Sequence, residues 1–260
     1  YVTPDYLDHW AYDAIDFLTG KGVITGYPDG RFLPENNVKR SEYITIAVKT
    51  YEIPLEKPPK STFKDVKTTD WFFQSVEGAN KAGMLFFLKD YLQPNKPTTR
   101  EEAMGMLVVA MGKSEEANRI SSTEIEEFTQ KFNDASQISP TFLKYIIYAF
   151  KNGLIKGYPD GTIRPKKTIT RAETSTVIFQ ARYPTIALVG TSDFHSMFLS
   201  KEIDEKTNKY LGGAAVMATY IKTVMNGFPN TSLLLDSGNF IQGTPISFLT
   251  RGKAVVQLYN

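Results

Sequence analysis

Gly26-Tyr27-Pro28-Asp29-Gly30 and Gly157-Tyr158-Pro159-Asp160-Gly161 are one five-residue phrase written twice, and their spacing decides how the rest of the chain is read. The shift of 131 positions that superposes them also places Gly22 on Gly153, Pro34 on Pro165, Arg40 on Arg171 and Glu42 on Glu173. A shift of 61 places Trp10 on Trp71 and Gly22 on Gly83; after a one-residue deletion, Pro34 falls on Pro94, Arg40 on Arg100 and Glu42 on Glu102. The chain therefore holds three repeats of one unit. Such repeats build a scaffold with a shared core, and scaffolds of this size usually bind rather than catalyse.

Each repeat reads as helix, loop, helix. Ala11, Ala14, Ile15 and Leu18 stand at i, i+3, i+4 and i+7, as do Phe72, Ser75, Val76, Ala79 and Phe142, Tyr145, Ile146, Ala149. Gly22, Gly83 and Gly153 follow where a left-handed residue ends a helix. Second helices begin near Arg40, Arg100 and Arg171, with Ile44, Ala47, Val48 and Tyr51 on the apolar face of the first. The repeats are residues 1–55, 61–113 and 132–183. Glu52 to Thr62, with Pro54, Pro58 and Pro59, reads as a stiff linker. The second linker, 114–131, contains a short helix expected between Ser121 and Phe132 with its cap near Ser122 or Thr123.

Beyond Tyr183-Pro184 the period changes. Ile186 to Val189 is a short apolar run ending at Gly190, Ala214 to Met225 reads as a helix, and Leu233 to Leu235 is a second buried-type strand. Strand, helix, strand opens an α/β layer. The expected fold class is thus mainly α, with a partial α/β segment over 185–260.

Composition narrows the partners. The 260 residues include no cysteine, so disulfides and thiolate metal sites are excluded. A net charge of +2 does not suggest nucleic acid as a partner. No apolar run approaches the roughly 20 residues of a membrane span. No signal peptide precedes Tyr1, and the start reads as processed or trimmed.

Thr99-Arg100-Glu101-Glu102 and Thr170-Arg171-Ala172-Glu173 fit the capping box, whereas the first repeat has Lys39 in place of the cap hydroxyl. Each repeat then sets an arginine at the first helical position, where the helix dipole disfavours a cation by some tenths of a kcal/mol. Two explanations stand side by side. Free helix-start amides and a guanidinium would together hold a carboxylate or phosphate; alternatively, the arginines pair with a neighbouring repeat and hold the array together.

An early Trp, a Gly-Tyr-Pro-Asp-Gly loop and an Ile-Thr-Arg-Ala-Glu helix start, three times over Tyr6 to Tyr183, resemble the S-layer homology (SLH) domains of bacterial surface proteins. The resemblance implies a pseudo-threefold bundle whose inter-repeat grooves hold a pyruvylated secondary cell-wall polysaccharide, an extracellular place at the cell wall or S-layer, and no cofactor for the anchor. S-layer neighbours are further possible partners, and a structural lattice protein is one alternative. It also implies Arg40, Arg100 and Arg171 as carboxylate ligands, with Asp29, Asp160, Gly26, Gly157, Tyr27, Tyr158, Glu42 and Glu173 in support. Trp10 and Trp71 either stack on sugars or, as the preferred expectation, anchor the first helices in the core. The middle loop, Phe87-Leu88-Lys89-Asp90-Tyr91, keeps only Asp90 of the turn, and Thr141 stands where the other repeats have Trp. The grooves of Arg40 and Arg171 are therefore expected to outrank that of Arg100.

Asp193-Phe194-His195 after the first strand, Gly212-Gly213-Ala214-Ala215, and Gly238-Asn239 with Gln242-Gly243-Thr244-Pro245 after the next resemble, in this order, the front of a 5'-nucleotidase of the calcineurin-like metallophosphoesterase superfamily. The resemblance implies Asp193, His195 and Asn239 as remnants of a divalent metal pair. The family has Asp where this chain has Asn239, and the later histidine motifs are absent from the sequence. Residues 1–260 are accordingly expected to be catalytically inactive, a longer parent being the surface-tethered hydrolase.

Overall fold

The computed structural model describes residues 4–183, 187–191, 202–204, 209–211, 213–227 and 232–236. Eight α-helices lie in the repeats and the linker between the second and third: α1 (Tyr12–Gly20), α2 (Arg40–Thr50), α3 (Phe73–Lys81), α4 (Arg100–Ala110), α5 (Ser114–Asn118), α6 (Ser122–Lys131), α7 (Leu143–Lys151) and α8 (Arg171–Arg182). The helical periodicity is realised directly: Ala14, Ile15 and Leu18, Val76 and Ala79, and Ile146 and Ala149 are all buried. Gly22, Gly83 and Gly153 take φ of 67°, 77° and 71°, a region any β-carbon disfavours. Both linkers hold more than the spacing foretold. Pro54 docks its carbonyl against Gly78, and the buried Glu77 carboxylate accepts from the Thr62 N–H and the Ser61 and Thr62 hydroxyls. In the second linker two helices form, and Ser121 is the cap, because its hydroxyl accepts from Glu124 N–H while the Glu124 carboxylate accepts from Ser121 N–H.

The loop between paired helices is fixed by a carboxylate that the repeat alignment does not reveal. Asp5 accepts from the N–H groups of Phe32 and Leu33, Asp65 from Leu92 and Gln93, and Asp134 from Ile163 and Arg164, all at 2.8 Å. Leu33, Gln93 and Arg164 sit at φ of 54°, 55° and 51°, so each carboxylate holds a residue that is not glycine in the left-handed region.

The repeats interlock through backbone. Val38 N–H donates to Ile169 O (3.0 Å), Ile169 N–H to Thr98 O (2.9 Å) and Thr98 N–H to Val38 O (2.9 Å), closing a cycle at three fully buried residues. Around it, each second helix donates its first two amides to the next repeat. Arg40 and Ser41 N–H reach the carbonyls of Lys96 and Pro94, Arg100 and Glu101 those of Lys167 and Pro165, and Arg171 and Ala172 those of Asn36 and Pro34, at 2.9–3.1 Å. The helix-start amides are therefore not free for an anion, and that expectation is corrected. α1 packs on α8, bringing the first repeat against the third, with Phe17 edge-on to Phe179 and Tyr183.

Residues 184–260 form a separate compact unit. It contains β1 (Ala187–Thr191), β2 (Glu202–Asp204), β3 (Lys209–Leu211), α9 (Gly213–Gly227) and β4 (Ser232–Asp236). β1 pairs with β4 in parallel, Ala187 opposite Ser232 and Thr191 opposite Asp236, while β2 and β3 form an antiparallel pair that the sequence reading missed. Among the described residues, no helix is long and apolar enough to cross a membrane.

Candidate functional site

Every repeated arginine reaches into the loop of the following repeat. Arg171 donates from Nε to Phe32 O (2.8 Å) and from Nη2 to Thr25 O (2.6 Å), with its guanidinium 4.8 Å from the Tyr27 ring. Arg100 donates to Ile163 O (3.2 Å) and Lys156 O (3.4 Å), 5.2 Å from Tyr158. Arg40 donates to Leu92 O (2.5 Å) and pairs with Glu102 (2.7 Å), 5.7 Å from Phe87. The guanidiniums thus lie among carbonyl dipoles and aromatic faces, which offsets their disfavoured place at a helix start. Their first role is to hold neighbouring repeats together.

The cyclic order corrects the expected ranking of grooves. The intact loops of repeats one and three are served by Arg171 and Arg100, and the degenerate middle loop by Arg40. Arg40 is 1% exposed. Phe87 meets Phe142 at 5.0 Å, Phe86 meets Phe142 and Tyr145 at 5.7 and 4.9 Å, and Glu102 is engaged by Arg40 and by Lys96 at 3.1 Å. Aromatic side chains and an ion pair occupy this third junction. Thr141, which stands where the other repeats have Trp10 and Trp71, directly precedes Phe142, the ring that packs on Phe86 and Phe87 here.

The other two junctions are open. One groove, of about 190 Å³, is lined by Gly26 and Tyr27 of the first repeat's loop, Glu42 and Lys49 of α2, Trp71 and Arg171. Its counterpart, about 320 Å³, is lined by Lys156, Gly157 and Tyr158, by Glu173 of α8, and by Trp10 and Arg100. Each groove takes its loop, its indole and its arginine from three different repeats. Trp71 is 67% exposed and Trp10 64%, so the core-anchor expectation is overturned. The reason lies in register: each indole stands one residue ahead of the apolar face, which begins at Ala11 and Phe72.

Asp29 and Asp160 line neither groove. Asp29 binds Arg31 (2.7 Å), and Asp160 accepts from the Thr162 hydroxyl (2.6 Å) and Arg164 (2.7 Å). These bonds, the Thr162 hydroxyl foremost and then Arg164, hold the Asp160 carboxyl down at about 2. Both aspartates shape their own turns. Glu173 caps α8 through Thr170 N–H (3.0 Å) and takes Lys167 at 2.9 Å. Burial, the largest influence, pushes its carboxyl up, but these two bonds prevail and it lies below the usual range. Sequence reading missed Lys49, Lys156 and Lys167 around the grooves, although Lys49 shares a helix face with Glu42 at i+7. Asp193, His195 and Asn239 lie outside the described residues.

The profile of the S-layer homology domain matches residues 3–44, 62–104 and 131–175, half of the chain and one match per repeat. The chain belongs to the S-layer homology family. Among relatives, exoglucanase XynX of Acetivibrio thermocellus is 32% identical over 177 residues, 67% of this chain and 16% of that protein. The S-layer protein sap of Bacillus anthracis is 28% identical over 171 residues (66% and 20%), and the cellulosome-anchoring protein of A. thermocellus 30% over 162 residues (60% and 34%). The chain thus matches a minor part of the length of these relatives. SLH membership and these relatives identify an extracellular, cell-wall-associated surface protein.

Proposed function

We propose that the three repeats form a pseudo-threefold SLH unit that anchors a surface protein by holding an acidic wall glycan, a pyruvylated secondary cell-wall polysaccharide, in its two open grooves. The observation that carries this reading is the pairing, in each open groove, of a solvent-facing indole with an arginine and a carboxylate at its walls. An exposed tryptophan offers a flat apolar face to sugar C–H groups, the carboxylate accepts from hydroxyls, and the guanidinium meets a ketal carboxylate. Two ligand sites per chain follow, with the Arg40 junction serving as a joint. Residues 185–260 are proposed, on sequence resemblance, as a nucleotidase-like segment.

Co-sedimentation with purified sacculi tests the anchor. Retention should fall when the polysaccharide is extracted or depyruvylated, and when Arg100 or Arg171 is replaced by alanine in a chain that still folds. Undiminished retention on depyruvylated walls would overturn the carboxylate part of the reading, and retention on stripped peptidoglycan would overturn the glycan itself.

A further inference from the structure

We propose, resting on the groove reading above, that His9 positions Trp10 in the Arg100 groove and does so only as the neutral imidazole, so that this groove loosens its hold on a glycan in mild acid while the Trp71 groove does not. The two indoles are seated differently. Trp71 stands edge-on against the buried ring of Phe72, at 5.3 Å and 88°. The first repeat has Ala11 where the second has Phe72, and among the described residues the one ring against Trp10 is the imidazole of His9, at 5.3 Å and 38°. Trp71 is preceded by Asp70, whose carboxylate accepts from Lys67 N–H at 2.8 Å.

Both nitrogens of His9 are engaged. Nδ1 lies 3.2 Å from the N–H of Ala11, a residue 3% exposed, and Nε2 lies 2.7 Å from the Glu35 carboxylate. A backbone N–H only donates, so Nδ1 accepts, and the proton of the neutral ring sits on Nε2 and is donated to Glu35. Among the described residues the Ala11 N–H has no other acceptor. The imidazole therefore ties the entry of α1 to the loop of the same repeat, with Trp10 held between the two residues of the tie. Protonation turns Nδ1 from acceptor into donor, facing another donor, and leaves a buried amide unpaired. Glu35 meanwhile binds the imidazolium more firmly through Nε2. The ring stays with the loop, the turn at Ala11 opens, and the indole leaves its place at the groove wall. The other charged groups of this region do not rival Glu35: Asp5 is taken up by the amides of Phe32 and Leu33, Arg31 is paired with Asp29, and Asp8 and Asp13 are carboxylates. Histidine is the side chain that ordinarily changes charge between about pH 5 and 8, and it stands before one indole only.

The chain's two tryptophans divide one to each groove and serve as reporters. In the full chain, Trp71→Phe leaves Trp10 to report the Arg100 groove and Trp10→Phe leaves Trp71 to report the other. Each variant is titrated by fluorescence at about pH 8 and about pH 5 with the methyl glycoside of a pyruvylated hexosamine, whose carboxylate stays ionised because ordinary carboxyls titrate at about 3.3 to 4.3. The Trp10 midpoint should rise about fivefold in acid, the worth of one ordinary hydrogen bond, and the Trp71 midpoint should stay level. His9→Asn supplies an amide oxygen for the Ala11 N–H without a titrating ring, so in the Trp71→Phe background it should bind at both pH values as the imidazole does at the higher one. His9→Leu offers no acceptor and should bind weakly at both. Nitrogen-15 NMR of the ligand-free chain carrying His195→Gln, which leaves a single imidazole, should show Nδ1 unprotonated at about pH 8 and the Ala11 amide shifting with the same midpoint as the ring. An equal acid response in both grooves, a response that survives His9→Asn, or an Ala11 amide indifferent to the ring would overturn the role of His9 and leave the groove reading standing. Silence of both indoles toward the glycoside would overturn the groove reading and this inference with it.

Discussion

Replacing Arg40 by methionine should damage stability far more than wall binding. The substitution keeps the apolar stem but removes the donors to Leu92 O (2.5 Å) and to Glu102 (2.7 Å). Breaking a buried ion pair by deleting one partner costs about 3 to 5 kcal/mol, because the survivor stays buried and charged. Here the survivor keeps Lys96 at 3.1 Å, so the low end, about 3 kcal/mol, is expected. In a domain of this size that corresponds to a fall in Tm of about 6 to 12 °C. Arg40→Met with Glu102→Gln buries neither charge, and glutamine still serves at the third helical position; the pair should regain at least about half of the loss. Unfolding followed by tryptophan fluorescence reports this unit, since both indoles lie within it. A loss under about 1 kcal/mol for Arg40→Met, or no recovery in the double variant, would refute the description of this junction as a joint.

Trp10→Ala and Trp71→Ala should each leave stability within about 0.5 kcal/mol while weakening retention on sacculi about tenfold, and a large drop in Tm would return these indoles to the core. Asp134→Ala removes the acceptor for two backbone amides and frees Arg164 from its left-handed conformation, so thermal unfolding should show a loss of about 2 to 3 kcal/mol; an unchanged Tm would show that the loop holds itself. The carboxyl of Asp160, depressed to about 2, supports its turn fully above the ordinary aspartate range and loses that support as pH falls toward 2. An NMR titration of this carboxyl should therefore give a midpoint near 2, and a midpoint at the ordinary aspartate value would count against the Thr162 and Arg164 contacts.

What the sequence disclosed was whatever is local and periodic. The apolar spacing beginning at Ala11, the glycines at 22, 83 and 153, and the boxes at Thr99 and Thr170 all express interactions within a few residues, and each appears in the structure. Arg40 misled because sequence proximity to the loop of its own repeat says nothing about which loop it meets in space; closure of the three repeats hands it to the next one. The indoles misled because residue type was weighed above register. Asp5, Asp65 and Asp134 escaped notice since they bind backbone, which imposes no pairing on side-chain identity, and insertions between repeats shift them off a common spacing.

The ring of Val38, Thr98 and Ile169, together with the contact of Phe17 on Phe179 and Tyr183, has a mechanical consequence. An open array of repeats peels from its last member when the chain beyond it is pulled. In this protein, tension arriving through Tyr183 is shared at once with the first repeat, so the third cannot be stripped away singly. Because each groove borrows from all three repeats, a tether that grips through these grooves, as proposed above, would lose grip and integrity together and release its load in one event.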